Sequence, residues 1–143
     1  MPDMPRQSAY LEAQRQHLTE CEQDIAELAN LLTQRPWRRL ERHAAERTLQ
    51  ILIESCIGLA KHWTRLETGQ VCRDAATGFE RLSDAGKIDA KTPWRRIIGL
   101  RNVLVHDYLE VNPEIVESVI SNEHYQAMLD FGRSALNVLE QSR

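Results

Sequence analysis

The sequence is short of the residues that define several whole classes of protein. Its three cysteines, Cys21, Cys56 and Cys72, form no C-x-x-C pair and no close His-Cys group. That gives no support to a disulfide framework or a zinc finger, and reduced apolar thiols are the expected state. No H-E-x-x-H motif occurs, and His43 and His62 stand without ligand partners at metal spacing, so neither a metal nor another cofactor is expected. No uncharged apolar run approaches the ~18 residues that span a bilayer, and the opening Met-Pro-Asp-Met-Pro-Arg contains no apolar h-region. A cytoplasmic protein with no membrane partner is the expectation. Strict alternation of apolar and polar residues is also missing, which argues against a sheet. With no internal repeat and no linker, the 143 residues read as a single domain, 1–143.

What is present is ordinary for a folded chain, with 42% apolar and 27% charged residues, but the charge is unevenly spread. Residues 1–33 carry a net charge of −4, residues 34–66 carry +4, residues 67–109 carry +1 and residues 110–143 carry −4. A phosphate-bearing partner would meet the middle of the chain, through local geometry rather than a generally basic surface.

The apolar period is helical nearly throughout. Leu11, Gln14, Leu18, Cys21, Ile25, Leu28 and Leu32 step by three and four, with Gln14 the only polar member. This predicts a long helix with Ser8 as N-cap, ending before Pro36. Ala45, Leu49, Leu52, Cys56, Leu59, Trp63 and Leu66 make a second stripe that closes at Gly69. Two long helices with a short connection should lie antiparallel. Val71, Ala75, Phe79 and Leu82 predict a shorter third helix, stopped by Gly86. Thr92-Pro93 reads as N-cap and first residue of a fourth, with Ile97, Leu100 and Leu104 as its buried stripe. Asn112-Pro113 repeats that device for a fifth, with the stripe Val116, Ile120, His124, Met128, Phe131, Ala135 and Val138. In that stripe His124 reads as a core or interface histidine. The fold class predicted is all-α, an antiparallel bundle of about five helices.

One segment does not read as an ordinary amphipathic helix: Leu100-Arg101-Asn102-Val103-Leu104-Val105-His106-Asp107-Tyr108. Taking Arg101 as origin and about 100° per residue, Tyr108 falls at about −20°, Asn102 at about 100° and His106 at about 140°. Leu104, Leu100 and Val103 fall at about 300°, 260° and 200°, so the polar four are expected to share an arc facing away from the apolar three. Metal-free RNA cleavage needs a base for the ribose 2′-hydroxyl proton, an acid for the leaving 5′-oxygen and a cation for the charge that builds on phosphorus. His106 suits base or acid, Arg101 suits a bidentate phosphate contact, and Asn102, one turn before His106, suits orienting its ring. A helix-end Arg and His bonded to nearby carbonyls is the plainer alternative.

The run Arg101-Asn102-Val103-Leu104-Val105-His106-Asp107-Tyr108 resembles the R-x-x-x-x-H-x-Y signature of HEPN-domain ribonuclease toxins, specifically the HepT group, and Leu109-Glu110-Val111 continues the likeness. Glu46-Arg47-x-Leu49-Gln50-x-x-Ile53-Glu54 resembles the second helix of that group, and the resemblance runs from about Arg39 to Leu139. Where members often have an acidic residue one turn after Glu54, this chain has Gly58. The resemblance implies a HEPN-like bundle and a metal-independent endoribonuclease of a toxin-antitoxin pair. It implies a homodimer with two R-x-x-x-x-H segments facing one cleft, and tRNA or mRNA as substrate. The partner implied is a nucleotidyltransferase antitoxin of the MntA type, which would transfer AMP units to Tyr108. The alternatives are a non-catalytic HEPN module that binds RNA or serves the nucleotidyltransferase as a partner, and a helix-turn-helix DNA binder. The latter fits poorly because the second helix is too long to be a recognition helix.

Arg35, Arg38, Arg39, Arg42 and Arg47 gather beside Trp37 at the start of the second helix, where cations oppose the helix dipole, so an RNA-backbone track is one reading and a solvated helix start with local ion pairs the other. Arg95 and Arg96 precede Arg101 on the fourth helix and are further RNA-binding candidates. Glu46, Gln50 and Glu54 share a face and read as an outer polar surface or as support for the catalytic arginine.

Overall fold

The computed structural model describes residues 4–142, with side chains from residue 7 onward. They form six helices: α1 (Met4–Leu32), α2 (Arg39–Thr68), α3 (Ala75–Asp84), α4 (Trp94–His106), α5 (Pro113–Ser121) and α6 (Tyr125–Gln141), with one 3₁₀ turn, Tyr108–Glu110, after α4. The all-α bundle is as the sequence predicts, and no described residue lies in a strand. No described helix is long and apolar enough to cross a membrane.

The α2 helix is the axis of the bundle and packs against α1, α3, α4, α5 and α6. Its predicted stripe from Ala45 to Trp63 is buried, and Thr48, Ile53, Ser55, Ile57, Ala60 and Thr64 widen that face because neighbours cover more than one side. The Ser55 and Thr64 hydroxyls are satisfied, as burial demands. Ser55 Oγ donates to Gln14 Oε1 at 2.5 Å and Thr64 Oγ1 to the Gly78 carbonyl at 3.0 Å. Gln14, the one polar member of the α1 stripe, is therefore half of a polar link between α1 and α2. Trp37 Nε1 donates to the Leu28 carbonyl at 2.9 Å and fastens the turn between the two long helices. At the other end of α2, Phe79 stacks on Trp94 with centroids 4.0 Å apart, and Phe131 meets the Trp94 edge at 5.0 Å. This cluster joins α3, α4 and α6 and seats the start of α4 (aromatic contacts of this kind add about 0.5–1.5 kcal/mol each).

Several expected boundaries shift. The α1 helix is already formed at Met4, so Ser8 lies inside it and does not cap it; Pro5 in the first turn suits such a start. Leu66 is exposed although it closes the α2 stripe, and Val71 is exposed outside α3, which Asp74 caps by accepting from the Thr77 N–H at 2.7 Å. Pro93 rather than Thr92 is the N-cap of α4, its carbonyl taking the Ile97 N–H.

The largest difference is that the predicted fifth helix is two. The α5 helix closes in a Schellman motif, with His124 N–H bonded to the Val119 carbonyl and Glu123 N–H to the Ile120 carbonyl. Glu123 takes the left-handed position at φ 59°, where glycine is usual, and His124 is exposed at the break rather than buried in a stripe. The same motif ends α3, with Lys87 N–H on Leu82 and Gly86 N–H on Ser83, and there Gly86 holds φ 72°. The left-handed conformation costs a non-glycine residue about 1–2 kcal/mol. Glu123→Gly is accordingly expected to raise stability by about 1 kcal/mol, or about 2–4 °C in Tm, and Gly86→Ala to lower it by a similar amount. Thermal melts of the two variants check this, and shifts of the same sign would contradict it.

Candidate active site at the end of the fourth helix

The buried residues of α4 are Trp94, Ile97, Ile98 and Leu104. Their bearings fall within about 60° of that of Arg101, counting about 100° per residue. Arg101 thus leaves the helix on its inner face, not on an outer polar arc, because Trp94, Ile97 and Ile98, upstream of the run first considered, set which face is buried. Arg101 is half-buried, and its Nε is sealed from solvent without a hydrogen-bond partner. Arg101 makes no ion pair among the described residues, and Glu46, Gln50 and Glu54 do not hold it. A half-buried, fixed cation without an ion pair is equipped to receive an anion.

The other members of the motif are placed differently. His106 is the last residue of α4, and both it and Asn102 are exposed. No hydrogen bond joins Asn102 to His106 in this single chain. The α4 helix stops at His106, Asp107 turns at φ −128° and ψ 41°, and Tyr108 opens the 3₁₀ turn. The helical bearing expected for Tyr108 therefore does not apply, although its ring, 65% exposed, stands two residues from His106. Beside this end of α4 runs an apolar groove of about 710 Å³. Ile97, Leu100 and Val103 of α4 form one wall, and Ile115, Val119 and Met128 the other. The groove was not visible in the sequence, because the wall that faces α4 is built from both halves of what reads as one continuous fifth helix.

The remaining arginine candidates divide into engaged and unengaged groups. Arg35 is held by Glu41 through two bonds of 2.7 Å and donates to the Pro36 carbonyl, so it fastens the α1–α2 turn rather than facing a ligand. Arg95 is paired with Glu80. Arg38, Arg39, Arg47 and Arg96 are exposed, and Arg42 half-buried, with no ion pair among the described residues. At Gly58 a Cβ would come within 2.6 Å of Tyr10 Oη, so the place where relatives often carry an acid is filled by a tyrosine from α1. Burial raises the Tyr10 hydroxyl to a pKa of about 12, and its ring packs on His62 with centroids 4.4 Å apart. No group of three His, Cys, Asp or Glu that could hold a metal ion occurs among the described residues.

Two expectations follow. A buried, unpaired donor costs about 1–3 kcal/mol, so Arg101→Met is expected to raise the melting temperature while removing the cation; a lower melting temperature would mean that the Nε is answered after all. Hydrogen bonds from Arg35 and from the Arg38 backbone hold the Glu41 carboxyl at a pKa of about 2, below the ordinary carboxylate range. A group depressed on folding contributes stability that is present above its unfolded value and lost as pH falls through the folded one. Glu41→Gln should therefore lower the urea midpoint most at neutral pH, with the gap to wild type narrowing below about pH 4 and closing as pH falls to about 2. A gap that stayed constant with pH would contradict the pairing.

Comparison with known proteins agrees with this architecture. The family model described as Ribonuclease HepT-like matches residues 18–134. A curated relative, the mRNA nuclease HepT of Shewanella oneidensis, is 30% identical over 86 residues, and the match spans 57% of this chain and 65% of the relative's length. Two solved structures share the fold. A toxin-antitoxin crystal structure with AMP-PNP aligns at a TM-score of 0.72 and 21% identity, over 88% of this chain and 97% of that one. A tri-AMPylated Shewanella oneidensis HEPN toxin in complex with an MNT antitoxin aligns at a TM-score of 0.70 and 22% identity, over 85% and 95%. With a match across most of its length, and an Arg-x-x-x-x-His segment seated at the end of a buried helix, the chain belongs to the HepT-like ribonuclease family.

Proposed function

We propose that this protein is a metal-independent endoribonuclease toxin, acting in a cleft between two copies of the chain and neutralised by AMP transfer to Tyr108 from an MntA-type nucleotidyltransferase. The observation that carries the reading is Arg101, a half-buried cation with no ion pair among the described residues, five residues before an exposed His106. The relative named as an mRNA nuclease, and the neighbours described as toxin-antitoxin and tri-AMPylated, support the same reading.

The chemistry follows from the groups available. His106 takes the proton of a ribose 2′-hydroxyl, and the oxygen attacks the adjacent phosphorus. The bond to the 5′-oxygen breaks, and that oxygen takes a proton from a second imidazole, leaving a 2′,3′-cyclic phosphate and a 5′-hydroxyl. Arg101 holds the charge that builds on the phosphoryl oxygens. One chain supplies one His106 where acid and base are both needed, and His106 of a second copy supplies the other. Asn102 orients the His106 ring once the cleft is complete. Arg38, Arg39, Arg42 and Arg96 are the cations left to guide an mRNA or tRNA backbone. Tyr108 accepts the modification, since a phenol is a poor base at neutral pH and an adenylyl group two residues from His106 would put negative charge and bulk at the cleft where RNA phosphate binds.

His106→Ala and Arg101→Ala are each expected to slow cleavage by ~10² to 10⁴, and EDTA to leave the rate unchanged. Wild-type rates from either variant, or inhibition by chelation, would overturn the assignment. Tyr108→Phe should keep activity within about tenfold, the loss of one hydrogen bond. It should also abolish the AMP-sized mass increments that wild type gains with the nucleotidyltransferase and ATP. Equal increments on both proteins would move the acceptor elsewhere.

A further inference from the structure

One end of the apolar groove carries polar groups of a particular kind. Leu100 and Val103 of α4, Val111 after the 3₁₀ turn and Ile115 of α5 give that end aliphatic sides, and Glu110 and Asn112 flank Val111. Glu110 is exposed and makes no ion pair among the described residues. Asn112 Oδ1 accepts from the Glu114 N–H at 3.0 Å as the cap of α5, which leaves the amide Nδ2 to donate. A flat ring held between aliphatic faces, donating to a carboxylate and accepting from an amide, is complementary to this end.

Tyr108 is aimed at the same place. Glu110 N–H bonds to the Asp107 carbonyl at 2.7 Å and closes one 3₁₀ turn. Residues three apart eclipse one another in that geometry, and Val111 keeps a φ of −65° that continues it. The Tyr108 side chain therefore leaves the turn on the side of Val111, ~6 Å away along the axis. Val111 lines the groove, and the Tyr108 ring, 65% exposed, has room to carry a group toward it.

We infer that this end of the groove is an adenine seat. The base of an adenylyl group on Tyr108 folds back over Val111 and lies among Leu100, Val103 and Ile115, its N6 amine donating to Glu110 and its N1 accepting from Asn112 Nδ2. The inference deepens the AMP transfer proposed above and rests on it. Guanine in the same pose would set its O6 against the carboxylate and its N1–H against the amide donor, so the seat selects adenine. A seated base holds the phosphate and ribose at the end of α4 near His106, where a base loose in solvent would leave them mobile.

Methyl-resolved NMR of the full chain tests the seat, with 5′-AMP and 5′-IMP as probes, since IMP differs in carrying O6 and N1–H. In unmodified wild type, AMP is expected to shift the Val103, Val111 and Ile115 methyls saturably, and IMP to bind about fivefold or more weakly, the worth of one hydrogen bond. Glu110→Lys, which offers O6 a donor, should abolish or reverse that preference while the circular dichroism stays that of wild type. After reaction with the nucleotidyltransferase and ATP, adenine H2 and H8 should show Overhauser contacts to the same methyls, and Tyr108→Phe should show none. AMP that moves no groove methyl, IMP that binds wild type as well as AMP, or a modified Tyr108 whose adenine meets no groove methyl overturns the seat. A Tyr108 that gains no AMP removes the modification reading instead, and the free-nucleotide titrations still decide the seat.

Discussion

The stacking of Phe79 on Trp94, with Phe131 against the Trp94 edge, fixes the rotation of α4, and everything at the site depends on that rotation. Once Trp94 is clamped between α3 and α6, Ile97, Ile98 and Leu104 must turn toward α2. Arg101 lies in the middle of that inner face. Its aliphatic stem can pack there, but its Nε is left sealed and unanswered, a cost of about 1–3 kcal/mol that the surrounding burial has to offset. The same rotation turns Gly99 and Val103 to the groove and leaves His106 exposed at the helix end. A packing preference among three aromatic rings and their neighbours thus separates a half-buried cation from an exposed imidazole on one short helix.

Charged residues elsewhere divide between holding the bundle and remaining open. Arg35 and Glu41 latch the α1–α2 turn, Arg15 joins α1 to Glu140 of α6, Arg133 joins α6 to Glu22 of α1, and Arg95 is taken by Glu80. Exposed pairs of this kind contribute little each, roughly 0–1 kcal/mol. Their effect here is to withdraw cations from any ligand. The basic middle of the chain is therefore narrower as a ligand surface than its residue count implies, with Arg38, Arg39, Arg42 and Arg47 unengaged on α2 and Arg96 and Arg101 on α4.

Much of the fold was legible because helical periodicity reports burial directly. The α1 stripe, the α2 stripe as far as Trp63, the Gly69 stop and the Asn112-Pro113 start stand where the spacing puts them. The break in the last helix was hidden because Glu123 occupies a left-handed position for which sequence signals expect glycine. The motif was legible as a set of residues but not as a geometry. Read from Leu100 onward, it gave Arg101 the wrong face, since the burial that decides the matter comes from Trp94, Ile97 and Ile98. Tyr10 filling the notch over Gly58 is a contact between α1 and α2 that no local pattern encodes.

The central claim is that RNA is cut only where two chains meet, since each supplies a single His106. Specific cleavage activity and dimer fraction, followed on the same dilution series with one fluorogenic RNA, test it most directly. The account predicts that activity per chain falls in step with the dimer fraction and vanishes for the monomer. Activity per chain that stays constant as the protein dissociates would contradict it.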